Sequence, residues 1–300
     1  MHKLGAQMAT LPEYSVFQIV CNSGLSKVRP LREAAAAHDE WGWNFGSGWP
    51  PSYFAYGRMR ALTTLLEAVA LNPKRVLEVA AGDAALCACL ASRGFRVVAN
   101  DLRGEHLTEA VASFTNGEDI QLLPGDLFQL DPAETGLFDL VVACEIVEHV
   151  AHTVEFLAQL KRFVAPGGHL LLTTPNGSYF RNKLPTHSEI KDFSALESQQ
   201  FKPDADGHLF LITPGEMVNL AHRAGLAVER MTLWATPLVT GHVGLSRLAS
   251  SSACWACYQF EKLVQKLPFA IKERACFNLS VVLAPLAPNG HTPDGNPAGR

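Results

Sequence analysis

A chain of 300 residues that is 48% hydrophobic can bury a substantial core, and its 25 basic against 29 acidic side chains leave a net charge of −4. That balance, with no dense Lys/Arg run, gives no electrostatic case for binding nucleic acid. No apolar run approaches the roughly 20 residues that span a bilayer, and the first residues lack a signal-peptide pattern, so a cytoplasmic protein without stable membrane insertion is expected.

Residues 1 to about 40 show no strong periodicity. Trp41–Tyr56, WGWNFGSGWPPSYFAY, combines aromatics with Gly and Pro and suits a shaped loop that could cover a ligand. Within Arg58–Leu71, Met59, Leu62, Leu65, Leu66 and Val69 recur at helical spacing, and Pro73 closes the helix. Val76, Leu77 and Val79 then form the short apolar run of a buried parallel strand, interrupted by Glu78. A carboxylate there must be paired, or lie at the strand's carboxyl end, where ligands bind in open α/β sheets. Ala80, Ala81, Gly82 and Asp83 make the turn. Small residues let the backbone approach a ligand, and the helix from about Ala84 to Ser92 offers free N–H groups at its start.

Arg96–Asp101 reads as a second strand ending in a carboxylate, about 20 residues beyond Gly82, the spacing at which an acid accepts hydrogen bonds from ribose hydroxyls. Taken alone, Asp101 could equally be a helix N-cap. The alternation continues with a helix over Gly104–Thr115, a strand over Ile120–Leu123, the strand FDLVVAC over Phe138–Cys144, a helix over Val154–Val164, the turn Ala165–Gly168 and a strand over His169–Asn176. Phe138–Cys144 is expected beside the first strand, where strand order reverses. Residues 177–207 are polar and long for a compact connection, which suits a lid or substrate loop. Thr213, Pro214, Glu216 and Gly225 start and stop a further helix. A strand over Val228–Trp234 follows, then a helical stretch over about 244–275 with Leu245, Leu248, Tyr258, Leu263 and Leu267 as apolar contacts, then a strand over Asn278–Leu286. The tail from Pro288 reads as disordered. The expected organisation is therefore an N-terminal segment with an aromatic cap loop over 1–57, one domain over 58–286, and a tail over 287–300.

In order and spacing these elements resemble the class I S-adenosylmethionine-dependent methyltransferases. The EHV after the fourth strand, the PGG turn and the TPN that ends the fifth are similar to the ubiquinone-biosynthesis O-methyltransferase group of small-molecule enzymes. Against the family's first motif, an acid followed by Gly-x-Gly-x-Gly, Glu78 and Gly82 fall on the acidic and central-glycine positions, while Ala80 and Ala84 replace the outer glycines. The likeness covers about Arg58 to Val228. It implies an α/β, Rossmann-like sheet of seven strands, mostly parallel with an antiparallel last strand and helices on both faces. It also implies S-adenosyl-L-methionine as the cofactor. Glu78, Ala80 and Gly82 would hold it at the turn, with Asp101 and Leu102 after the second strand and Asp126 and Leu127 at the adenine. Cys144 would approach from the end of the fourth strand, and Tyr56 and Arg60 from the preceding helix.

Methyl transfer from a sulfonium is an in-line displacement, so the protein must chiefly align the acceptor. For a hydroxyl acceptor a base within reach would take the proton, and His149, then His208, then Glu145 are the candidates. A histidine that merely orients the loop after the fourth strand is an equal reading of His149. The seven cysteines are odd in number and scattered, and the Cys254/Cys257 pair is not repeated, so neither a disulfide framework nor a metal site is expected.

Three functions fit: transfer of a methyl group to a small-molecule acceptor, through a hydroxyl oxygen; a non-catalytic methyltransferase-like binding or scaffold role, raised by Ala80 and Ala84; and NAD-dependent oxidoreduction, which the missing G-x-G-x-x-G and Tyr-x-x-x-Lys disfavour. The backbone is expected to widen at Ala80 and Ala84 enough to admit the cofactor, whereas a methyl group projecting into its site would favour the non-catalytic role. Acceptor identity and oligomeric state stay open.

Overall fold

The computed structural model describes residues 60, 63–112, 114, 117–200, 207–240 and 259–286. Tyr56 and the aromatic loop, the tail, and Leu245, Leu248 and Tyr258 lie outside them. Helix α1 covers 63–71. There follow β1 (Arg75–Val79), α2 (Ala85–Ala91), β2 (Arg96–Asp101), α3 (Gly104–Ala112), β3 (Ile120–Pro124), the short α4 (Pro132–Thr135) and β4 (Phe138–Cys144). Next come α5 (Thr153–Lys161), β5 (Val164–Pro175), the short α6 (Ser194–Glu197), α7 (Pro214–Arg223) and β6 (Leu226–Trp234). Helical turns over 259–264 (α8) and Phe269–Ala275 (α9) precede β7 (Asn278–Pro285).

The strands form one sheet in the order β3-β2-β1-β4-β5-β7-β6. β1 pairs parallel with β2 on one side and β4 on the other, so strand order reverses between β1 and β4 and a crevice opens at their carboxyl ends. β7 inserts antiparallel between β5 and β6. Alternation along each strand feeds two cores: Val76 packs with α1 and α2 on one face, Leu77 and Val79 with α5 and α7 on the other. Helix α2, ALCACLA, is buried at every position, which its small and apolar side chains permit. Helix α7 begins as its sequence predicts, with Thr213 and Glu216 forming a reciprocal capping box.

Two expectations are corrected. Ala165–Gly168 is part of β5 rather than a turn ahead of it, because β4 and β5 already pair at Phe138 and Val164 and the register slips before Leu140 meets His169. Glycine is required in this irregularity: a Cβ on Gly168 would lie 2.8 Å from the Asp139 carbonyl oxygen. Leu263 and Leu267 are exposed rather than buried contacts. Glu261 and Val264 turn inward instead, since the Glu261 carboxylate accepts hydrogen bonds from the Ala235 and Thr236 amides and the Thr236 hydroxyl. Among the described residues no helix is long and apolar enough to cross a membrane.

Candidate active site

β1 carries Glu78 into the interior, where the Cys87 thiol of α2 donates to its Oε2 at 2.7 Å. Burial pushes the Glu78 carboxyl up to about 8, although the thiol hydrogen bond and the charge of Arg60 act in the opposite direction. The turn that follows keeps left-handed backbone at all three motif positions, with φ of 54° at Ala80, 55° at Gly82 and 56° at Ala84. The outer alanines thus adopt the conformation that glycine would reach without strain, at a cost of about 1–2 kcal/mol each. Ala84 is fully buried in the core with α1 and α2, so its methyl group does not line the crevice, while Ala80 is half-buried. A Cβ at Gly82 would meet nothing within 4 Å, which leaves the turn open to a ligand.

Asp101 closes this half of the site. Its Oδ2 accepts from the Gly82 amide and its Oδ1 from the Arg103 amide, each at 2.9 Å. One lone pair on each oxygen stays available for ribose hydroxyls. Leu102 lies exposed beside it. Asn100 donates to the carbonyls of Leu123 and Gly125, and the Gly125 amide donates to the Asp101 carbonyl, which fixes the ends of β2 and β3 together. Asp126 is exposed and caps the turn Leu127–Gln129 through the Phe128 amide. The Leu127 side chain is buried in the core, leaving its backbone for contacts with a ring.

The other half lies after β4. Cys144 is half-buried, and burial pushes its thiol up to about 12, so it is no nucleophile at neutral pH. Glu145 has φ of 51° and is held from three directions by contacts that include the following. Its amide donates to the Thr173 carbonyl, its Oε1 accepts from Asn278 Nδ2 at 3.0 Å, and its Oε2 lies 3.9 Å from Arg60 Nη1. Arg60 is itself buried, and its charge reaches Glu78 and Glu148 as well, which ties the two halves electrostatically.

Glu148 is fully buried in the turn Val147–His149. Its Oε2 accepts from the Thr174 hydroxyl at 2.9 Å. Its Oε1 has no hydrogen-bond partner and faces two imidazoles, His149 Nε2 at 3.9 Å and His208 Nε2 at 3.8 Å. One ligand atom from each of these three residues lies within 4.8 Å of the others, a donor set that could hold a divalent cation. The rings of His149 and His208 meet edge to face at 5.0 Å, and the Leu209 amide donates to the Glu148 carbonyl, which pins the polar loop onto the end of β4. Burial raises Glu148 well above the usual carboxylate range, with repulsion from Glu145 adding to it, and burial lowers His208.

The structure therefore brings Glu145, His149 and His208 together with Arg60, and Gly82 together with Asp101. Sequence reasoning did not find Cys87, Thr174 or Asn278 as partners of these acids. An Asn opening an otherwise apolar strand was the available signal for Asn278. A depression lined by Gly94, Phe95, Arg96 and Asp119 lies at the opposite, amino-terminal end of the strands, away from these groups.

Comparison with known proteins agrees with this geometry. A family described as a methyltransferase domain matches residues 53–230. The ubiquinone biosynthesis O-methyltransferase of Caulobacter sp. (strain K31) is 35% identical over 103 residues, 34% of this chain and 41% of that protein. That of Acinetobacter baumannii (strain AYE) is 29% identical over 164 residues, 54% of this chain and 67% of that protein. The chain thus spans about two-fifths of the length of the Caulobacter relative. Among solved structures, the CcbJ methyltransferase of Streptomyces caelestis matches with a TM-score of 0.51 at 16% identity, over 88% of this chain and 98% of that one. Phosphoethanolamine N-methyltransferase 2 of Haemonchus contortus, solved with S-adenosyl-L-methionine, matches with a TM-score of 0.52 at 16% identity, over 84% of this chain and 57% of that one. The last two establish the fold. With the family match over 53–230, the strand order and the glycine-like turn at Ala80–Ala84, the chain belongs to the class I methyltransferases that use S-adenosyl-L-methionine.

Proposed function

We propose that the protein methylates a hydroxyl oxygen of a small-molecule acceptor, with the His149–His208 pair beside Glu148 receiving the proton. The observation that carries this reading is the convergence of Glu148 Oε1, His149 Nε2 and His208 Nε2 at the carboxyl end of β4, beside the crevice. S-adenosyl-L-methionine supplies the methyl group and a good leaving group, so the chain's own task is alignment and proton removal. Glu78, Ala80, Gly82, Asp101, Leu102, Asp126, Leu127, Cys144, Arg60 and Tyr56 are assigned to the cofactor. Burial lowers the His208 pKa, which keeps that imidazole neutral and able to accept a proton at neutral pH. The O-directed assignment follows the ubiquinone biosynthesis O-methyltransferase relatives, and the aromatic stretch Trp41–Tyr56 is assigned to covering an apolar or ring-bearing acceptor. In the same reading residues 58–286 form the catalytic domain.

Turnover on catechol-type acceptors tests this. His149→Ala and His208→Ala are expected to lose at least tenfold in kcat while S-adenosyl-L-methionine affinity stays within twofold. Unchanged turnover in both variants removes the imidazoles from the chemistry.

A second reading rests on the same donor set. A buried carboxylate oxygen without a hydrogen-bond partner, facing two imidazole nitrogens, suits a divalent cation. Such an ion would make an acceptor hydroxyl more acidic. Glu148, His149 and His208 would then be ligands rather than bases.

A further inference from the structure

Thr173 and Thr174 stand together at the carboxyl end of β5, and strand alternation sends their side chains to opposite faces of the sheet. Both are fully buried. The Thr174 side chain falls on the face of Leu170 and Leu172, and its hydroxyl donates to Glu148 Oε2 at 2.9 Å. A β-branched side chain has few rotamers open to it, and a hydroxyl buried on an apolar face keeps the partner it has.

The consequence lies on the other oxygen of the carboxyl. The Glu148 backbone is pinned where the Leu209 amide donates to its carbonyl, but the side-chain torsions would still let the carboxyl turn. The Thr174 hydroxyl takes up Oε2, and Glu148's own amide supports the group as well. Oε1, which has no hydrogen-bond partner, is then left facing His149 Nε2 at 3.9 Å and His208 Nε2 at 3.8 Å. The near-equal distances set it between the rings rather than against one of them. His149 follows Glu148 in the chain and His208 precedes Leu209, so the backbone fixes where the rings start and Thr174 fixes what they face.

We propose that Thr174 is a positioning residue of the methyl transfer, its hydroxyl holding Oε2 of Glu148 so that Oε1 stays aimed between the imidazoles of His149 and His208. This role rests on the assignment of proton uptake to that cluster. In the step itself the acceptor oxygen forms its bond to the methyl carbon as the carbon–sulfur bond breaks and its electron pair returns to sulfur, and the acceptor's proton passes to an imidazole. The imidazolium so formed meets an oxygen already facing it, with no reorganisation at the moment of reaction. A carboxyl free to turn would misplace that oxygen, and small displacements beside a reacting group are costly in rate. Thr174 thus acts through Glu148, from the strand beneath the site.

Two substitutions in the full chain test this. Thr174→Val keeps the branched shape and removes the hydroxyl, whereas Thr174→Ser keeps the hydroxyl. With a hydroxyl acceptor, Thr174→Val is expected to lower kcat roughly tenfold while acceptor KM and S-adenosyl-L-methionine affinity stay within about twofold, and Thr174→Ser to recover most of the loss. The imidazole NMR signals of His149 and His208 should move in Thr174→Val and return in Thr174→Ser, a signature independent of turnover. Wild-type kcat in Thr174→Val, or imidazole signals that do not move, overturns the proposal. So does a Thr174→Ser variant as impaired as Thr174→Val, since the methyl group rather than the hydroxyl would then be the operative part. Where Thr174→Val does not fold, Thr174→Ser against Thr174→Ala gives the same contrast. His149→Ala and His208→Ala, measured alongside, separate the two assignments. Turnover lost in them but kept in Thr174→Val strikes the role of Thr174 alone, whereas turnover kept in both removes proton uptake by the imidazoles and the role of Thr174 with it.

Discussion

The Cys87 thiol donates to the buried Glu78 carboxylate at 2.7 Å, joining the strand before the cofactor turn to the helix after it. Burial holds the Glu78 pKa up to about 8 in the folded chain, against 4.5 for an unperturbed group. Between these values the folded state retains a proton that the unfolded state has lost. The Glu78 contribution to the cofactor-free protein's stability therefore falls as pH rises from about 4.5 to about 8, with a limiting slope of about 1.4 kcal/mol per pH unit. Urea unfolding of wild type and Glu78→Gln measures this, because contributions from other groups cancel in the difference. The stability of wild type relative to Glu78→Gln should decline across that window and level off above pH 8. A flat difference would show that Glu78 is ionised when buried.

The alanines of the turn are separable by magnitude. Left-handed backbone costs Ala about 1–2 kcal/mol, and replacement by Gly returns about 0.5–1 kcal/mol of that in chain entropy. For half-buried Ala80 nothing else is lost, so Ala80→Gly should be neutral to about 1 kcal/mol more stable. Ala84 is fully buried, and removing its methyl group costs about 0.8 kcal/mol or more. Ala84→Gly should therefore lie about 1 kcal/mol below Ala80→Gly in denaturant unfolding. The reverse order would show that strain at Ala84 outweighs its packing.

What could be read from the sequence follows chain distance. Gly82 and Asp101 belong to one strand-helix-strand unit whose elements are legible from spacing, and within it the Gly82 amide donates to the Asp101 carboxylate. Glu148 and His208 meet only because the long polar connection after β5 folds back onto the end of β4. Composition does not encode that return. Asn278 reaches Glu145 because β7 enters the sheet against the direction of its neighbours, which places the strand's first residue at the active end. Leu263 and Leu267 face outward for another reason. Helical spacing identifies an apolar face but assumes that it is the buried one, and here the Glu261 carboxylate found amide donors at the end of β6 and reversed the orientation.

Arg60 is the buried cation among the acids. Its Nη1 lies 3.9 Å from Glu145, and its charge also opposes the rise in pKa at Glu78 and Glu148. Arg60→Met should destabilise the protein by about 3 kcal/mol at pH 8, where Glu78, held up to about 8 by burial, is about half ionised. At pH 5 the loss should be smaller, because Glu78 is then protonated and no longer draws on the Arg60 charge. Thermal unfolding at the two pH values is the measurement. An equal loss at both would reduce Arg60 to packing.

The last prediction separates the two roles open to Glu148, His149 and His208. If the imidazoles accept the proton themselves, kcat/KM for a hydroxyl acceptor should rise with pH through a pKa below 6.5 and then level off, since burial lowers His208 and only the neutral ring is a base. Dialysis against EDTA should then leave turnover unchanged. If the three side chains hold a cation, chelation should abolish turnover without weakening S-adenosyl-L-methionine binding, and added Mg²⁺, Mn²⁺ or Zn²⁺ should restore it. Glu148→Gln sharpens the choice. The Glu148 carboxyl is held well above its usual range by burial and by Glu145, so an amide costs a base mechanism little, whereas a cation loses its anionic ligand. Metal content by mass spectrometry, read beside turnover in wild type and Glu148→Gln, distinguishes them: bound metal that Glu148→Gln loses along with activity identifies ligands, and full activity in metal-free protein identifies bases.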